Sequence, residues 1–126
     1  MDKKILVGDD DAMNLRLAEK FLKKSGYQVV QAHSGEECLI KLKYENVDLI
    51  LLDIEMPGLN GIQTIQKIRQ ENLAVRTPIC FLSASESQEI KEAGKKYGAD
   101  GFLSKPFLPA SLIETVEKYL VPEVPL

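Results

Sequence analysis

The chain of 126 residues has no tryptophan, a single histidine and only two cysteines. That scarcity excludes a zinc centre built on imidazole and thiolate, which needs several such ligands at short spacing. Cys38 and Cys80 each lie among aliphatics, in Cys38-Leu39-Ile40 and Ile79-Cys80-Phe81-Leu82, and are expected as reduced core residues. His33 is a lone histidine in a loop, has no partner among the candidate site residues and is expected at the surface. A basic excess is also missing: 16 lysines and arginines face 19 acids, for a net charge of −3 and a pI near 5.2. This balance argues against nucleic acid as a direct ligand, because a surface that tracks phosphates needs surplus positive charge. No apolar run approaches the roughly 18 residues of a membrane span. Nothing after Met1-Asp2-Lys3-Lys4 resembles a signal peptide either, so the expectation is a cytoplasmic protein with no membrane contact. A glycine-rich phosphate cradle is absent as well, since Gly8 is followed by three aspartates that repel phosphate unless a metal intervenes.

What the chain does have is five short apolar runs in strict alternation with five helical patterns. The strongest run, residues 48–52, ends at Asp53 and the turn Pro57-Gly58; a continuous aliphatic stretch closed in this way reads as a strand buried on both faces. The other strands are expected at 3–8, 27–32, 79–82 and 102–104. Helices are expected from Ala12 to the Ser25-Gly26 stop, from the Ser34-Gly35-Glu36-Glu37 opening with Cys38, Leu39 and Leu42 inward, and through Ile62, Ile65 and Ile68 to near Asn72. A polar helix over 86–97 carries only Ile90, Ala93 and Tyr97 as an apolar stripe. The last helix is marked by Leu112, Ile113, Val116 and Leu120. Five βα units predict an α/β fold, a five-stranded parallel sheet in doubly wound, flavodoxin-like order 2-1-3-4-5, with right-handed crossovers. One domain over 1–120 is expected, with 121–126 as a tail or the start of a linker.

On that sheet Asp9, Asp10 and Asp53 converge at the carboxyl edge, with Ser83 and Lys105 ending the neighbouring strands. Crowded carboxylates repel, and a hard divalent cation held by oxygen relieves them; Mg²⁺ suits an all-oxygen set better than zinc. Magnesium, a lysine and a small hydroxyl together suit a phosphoryl group, and a carboxylate can attack phosphorus to form an acyl phosphate. Each residue also has an ordinary structural role open to it: Asp10 or Asp11 as a helix cap, Ser83 as a turn residue, Lys105 as a solvated strand end. What favours chemistry is that all of them fall at the same ends of the strands.

The residues Ile5-Leu6-Val7-Gly8-Asp9-Asp10, the stretch from Leu51 to Gly61, Leu82-Ser83-Ala84 and Lys105-Pro106-Phe107 together resemble the signature of two-component response-regulator receiver domains. The resemblance implies that Asp53 is the phosphoacceptor, that Asp10, Asp53 and the backbone carbonyl of Glu55 ligate Mg²⁺, and that Asp9 acts through a metal-bound water. It implies that Ser83 and Lys105 hold the phosphoryl group and that Ser83 and Phe102 act as the switch. Glu55 and Ser85 would tune how fast water removes the phosphate. The donor would be a phosphohistidine on a sensor histidine kinase or a histidine phosphotransfer protein. Output would pass to a protein partner at the face of the fourth helix, fifth strand and fifth helix, with pairing of phosphorylated copies as a further implication. Such a domain assists its own phosphorylation and dephosphorylation and turns over no external substrate. Two departures stand out: Gly8 where an aliphatic is usual, expected to leave room beside the acids, and Phe102 where tyrosine is frequent. Two rivals remain at this point. An aspartate-nucleophile phosphatase of the haloacid dehalogenase type would want a second acid two residues on and a compact turn, which Glu55-Met56-Pro57 fits poorly. A pseudo-receiver that binds partners without phosphorylation would lack an acid or the lysine, and none is missing.

Overall fold

The computed structural model describes residues 2–84 and 87–120. Strands β1 (Lys4–Gly8), β2 (Gln28–Ala32), β3 (Leu49–Asp53), β4 (Ile79–Ser83) and β5 (Gly101–Ser104) alternate with helices α1 (Ala12–Lys24), α2 (Gly35–Tyr44), α3 (Gly61–Gln70), α4 (Gln88–Lys96) and α5 (Pro109–Leu120). The strands form one sheet in the order β2-β1-β3-β4-β5, every pair parallel, which is the expected flavodoxin-like arrangement.

Alternation along the strands divides the core in two. Ile5, Val7, Leu49, Leu51, Cys80 and Leu82 point to one face and meet Leu15, Ala18 and Leu22 of α1 with Leu112 and Val116 of α5. Leu6, Ile50, Leu52, Ile79 and Phe81 point to the other and meet Cys38, Leu39 and Leu42 of α2 with Ile65 and Ile68 of α3. Both thiols are free and buried, and burial pushes each up to about 12, so they are inert packing residues as expected. The α4 helix is held loosely by comparison: Gly94 is its one buried residue, and Ile90 only packs partly against the second core.

The helix starts are fixed by side chains that accept their otherwise unpaired N–H groups. Ser34 caps α2, Ser87 caps α4, and Asn60 with Gln63 forms a reciprocal capping box at α3. Element ends differ from expectation by a residue or two. Strand β3 runs through Asp53 instead of stopping before it, because the ladder continues: Ile54 N–H donates to the Leu82 carbonyl at 3.0 Å. Strand β4 likewise takes in Ser83, and α3 stops at Gln70 because Asn72 adopts a left-handed φ of 53°. Gly8 does not open space beside the acids. A Cβ there would lie 2.6 Å from Cys38 Sγ and 2.9 Å from Leu52 Cδ1, so core side chains already occupy that room. The tail at 121–126 and Ser85, expected to tune dephosphorylation, lie outside the described residues.

Candidate functional site

The site is assembled where β1, β3 and β5 end. Asp9 follows β1 and is anchored by its N–H on the Ala32 carbonyl at 3.0 Å; its side chain is fully buried. Asp53, the last residue of β3, is 1 % exposed. Asp11, not Asp10, caps α1: its Oδ1 accepts from Met13 N at 2.8 Å and Asn14 N at 3.3 Å. With that job taken, Asp10 is left exposed at the mouth, and one carboxylate oxygen each of Asp9, Asp10 and Asp53 lie within 4.8 Å of one another.

One ammonium serves this group. Lys105, just beyond β5, places Nζ 3.1 Å from Asp53 Oδ2 and 3.2 Å from Asp9 Oδ2. Asp53 Oδ1 accepts the Glu55 N–H at 3.2 Å, and Asp9 Oδ1 accepts the Asp11 N–H at 2.9 Å. Burial, and then the negative charge of Asp9, push the Asp53 carboxyl up to about 7, although Lys105 and the Glu55 N–H pull the other way. Burial works against the Lys105 ammonium, yet the Asp53 and Asp9 carboxylates outweigh it and hold its proton more tightly than usual. The result is a buried acid too crowded to ionise comfortably on one lysine. A hard cation supplied to these oxygens would relieve it, and the exposure of Asp10 leaves that group reachable from solvent.

Ser83 and Phe102 belong to the other face of the sheet. Ser83 shares strand parity with Phe81, Phe102 pairs in register with Phe81, and the two rings stand 5.9 Å apart and tilted by 46°. The Ser83 hydroxyl donates to Glu55 Oε1 at 2.8 Å. Three participants escaped the sequence reading. Asn14 Nδ2 reaches Asp9 Oδ2 at 3.4 Å; its place in the first turn of α1 was a signal that could have been used. Gly94 admits the Phe102 ring, since a Cβ there would lie 2.7 Å from Phe102 Cζ, and a glycine inside a polar helix gives no such hint. The third is the hydrogen bond from Ser83 to the Glu55 side chain, which was expected only to tune dephosphorylation and whose long-range partner nothing local betrays.

The profile described as "Response regulator receiver domain" matches residues 5–117. The chain belongs to the response regulator receiver domain family. It is thus a phosphoacceptor module of two-component signalling, and the phosphatase and pseudo-receiver alternatives are not favoured. Among relatives, the alkaline phosphatase synthesis transcriptional regulatory protein PhoP of Bacillus subtilis is 40% identical over 120 residues, covering 95% of this chain and 49% of that protein. The transcriptional regulatory protein CpxR of Escherichia coli is 38% identical over 117 residues, covering 93% and 49%. The receiver chain therefore spans about half the length of these relatives. A structure of the Vibrio cholerae chemotaxis protein CheY4 superimposes with a TM-score of 0.91 at 33% identity, covering 95% of this chain and all of the other. No helix among the described residues of the receiver is long and apolar enough to cross a membrane.

Proposed function

We propose that Asp53 is the phosphoacceptor and takes its phosphoryl group from a phosphohistidine on a sensor histidine kinase or a histidine phosphotransfer protein. The observation that carries this reading is the pairing of one buried strand-end carboxylate with Lys105, which bridges it to a second buried acid. In the transfer an Asp53 oxygen attacks phosphorus, the P–N bond to the donor imidazole breaks, and its electron pair returns to that ring as an acyl phosphate forms. Lys105 neutralises phosphoryl oxygens through the ammonium already stationed at Asp53, and Ser83 donates its hydroxyl to another.

Mg²⁺ is the cofactor that the donor set fits: Asp10, Asp53 and the Glu55 backbone carbonyl would hold it, with Asp9 acting through a metal-bound water. When bound, it neutralises charge shared between the phosphoryl group and the acids. Removal of the phosphate by water restores the carboxylate, with Glu55 and Ser85 setting the rate. The domain is accordingly a self-resetting switch with no external substrate to turn over. The donor's approach is favoured on the α1 side, where a cavity of about 270 Å³ lined by Asn14, Leu17, Lys105 and Phe107 opens beside the acids. Exposed Met13 and Leu108 flank it in sequence and offer apolar surface to a partner helix. Output passes through α4, β5 and α5, whose outer helix is the most lightly packed, either to a protein partner or to a second phosphorylated copy. The proposed setting is the cytoplasm.

Incubation with acetyl phosphate and Mg²⁺ should add one phosphoryl group, read by intact mass, that is labile to hydroxylamine and lost in Asp53→Asn. Label that persists in Asp53→Asn, or that forms equally well in excess chelator, would refute the assignment.

A further inference from the structure

We infer that the Glu55 side chain is a latch on the switch hydroxyl: it holds Ser83 in the resting position and is expelled by the charge that phosphorylation brings. The inference rests on Asp53 being the phosphoacceptor. Glu55 touches both halves of the site. Its N–H donates to Asp53 Oδ1 at 3.2 Å, and its carboxylate accepts the Ser83 hydroxyl at 2.8 Å. Asp9, Asp53 and Lys105 follow the strand parity of the α1–α5 face, whereas Ser83 follows that of Phe81 and Phe102 on the α4 face. The Glu55 side chain is therefore a polar link from the acceptor to the face that carries Phe102.

A serine hydroxyl has one hydrogen to give. While it donates to Glu55 it cannot donate to a phosphoryl oxygen, so the resting and phosphorylated arrangements exclude each other. A hydrogen bond to an ionised carboxylate is also stronger than one to a neutral acceptor, which favours the resting arrangement until a competing anion arrives. Phosphorylation supplies that competitor and weakens the latch in the same step. It adds roughly one and a half to two negative charges on Asp53, next to the residue that bears the Glu55 carboxylate. Glu55 is exposed, so its side chain can swing into water at little cost, while the buried Ser83 turns to the new acceptor. The switch is thus driven by like-charge repulsion as well as by attraction to the phosphoryl group.

Four variants of the whole chain, Glu55→Ala, Glu55→Gln, Ser83→Ala and the Ser83→Ala/Glu55→Ala double, test this by amide NMR, without and with acetyl phosphate and Mg²⁺. Glu55→Ala removes the latch and should move the unphosphorylated signals of residues 87–104 toward their phosphorylated positions, raising the active-like population about five- to tenfold. Glu55→Gln keeps an oxygen acceptor but no charge; its resting spectrum should lie between those of the wild type and Glu55→Ala, and the change that phosphorylation produces should be smaller than in the wild type. In a Ser83→Ala background, Glu55→Ala should no longer move the resting spectrum. A resting Glu55→Ala spectrum that stays at wild-type positions while the wild type phosphorylates normally would overturn the latch alone, as would an equal effect in the Ser83→Ala background. Failure of the wild type to accept phosphate would overturn the reading on which it rests.

Discussion

The two edges of this sheet use the same residue type in opposite ways. At the amino edge each aspartate has a backbone donor of its own: Asp48 Oδ2 accepts the Lys4 N–H, and Asp100 Oδ2 accepts the Ile79 N–H, both at 2.8 Å. Lys4 completes that edge through an ion pair with Glu45 at 2.8 Å. At the carboxyl edge Asp9, Asp10 and Asp53 are brought together, Lys105 pairs with Asp9 and Asp53, and burial with the negative charge of Asp9 lifts Asp53 to about 7. Asp9 and Asp53 accept a backbone N–H as well, so what sets the carboxyl edge apart is the burial and crowding of its carboxylates, which leaves them poised to bind a cation or react.

The comparison is broken most severely by substituting the residue on which the reactive edge rests. A Cβ at Gly61 would lie 2.6 Å from the Asp53 carbonyl and 2.7 Å from Ile54 Cα, both backbone atoms that cannot turn aside. Gly61→Ala should cost about 3 kcal/mol or more in chemical denaturation and slow phosphorylation by displacing Asp53. Next come the settled acids. Asp48→Ala and Asp100→Ala each leave a strand-start N–H without its carboxylate and should cost about 1–2 kcal/mol, yet both should phosphorylate at the wild-type rate. A phosphorylation defect at normal stability would erase the distinction between the edges.

The smallest effect is in the pH dependence of stability without metal. The folded chain keeps the Asp53 proton up to about pH 7, whereas the carboxyl's ordinary value is 3.8, so the folded state binds that proton more tightly. Its contribution is intact at acid pH, is lost as pH rises from about 4 to about 7, and changes little above that. Asp53→Asn has no such proton to lose. Its melting temperature should gain on the wild type as pH rises from about 5 to about 8, and Mg²⁺ should narrow the gap. A gap independent of pH would show that Asp53 is not crowded.

How far the sequence revealed this depended on whether the deciding contact was local. The aliphatic run before Asp53 announced a strand buried on both faces, and all five β3 residues are buried, because only a central parallel strand accommodates such a run. The strand order and the meeting of Asp9, Asp10 and Asp53 followed from the alternation of elements. Asp10 and Asp11 could not be separated as caps because both suit the role chemically; the backbone path into α1 chose Asp11. Gly8 was misjudged for a related reason: the volume it leaves is claimed by Cys38 from a distant helix. The Ser83–Glu55 hydrogen bond spans 28 positions between two strand ends, and the fit of Phe102 against Gly94 joins a strand to a helix across the core face, so neither has a local pattern.

The most direct test of the contrast between the edges is carboxyl-carbon NMR of the aspartates during an Mg²⁺ titration at neutral pH. The Asp9, Asp10 and Asp53 carboxyl signals should move together with saturable amplitude, Asp53 should lose its proton at lower pH once metal is bound, and Asp48 and Asp100 should stay in place. Equal movement of all five signals, or an Asp53 signal indifferent to Mg²⁺, would contradict that contrast.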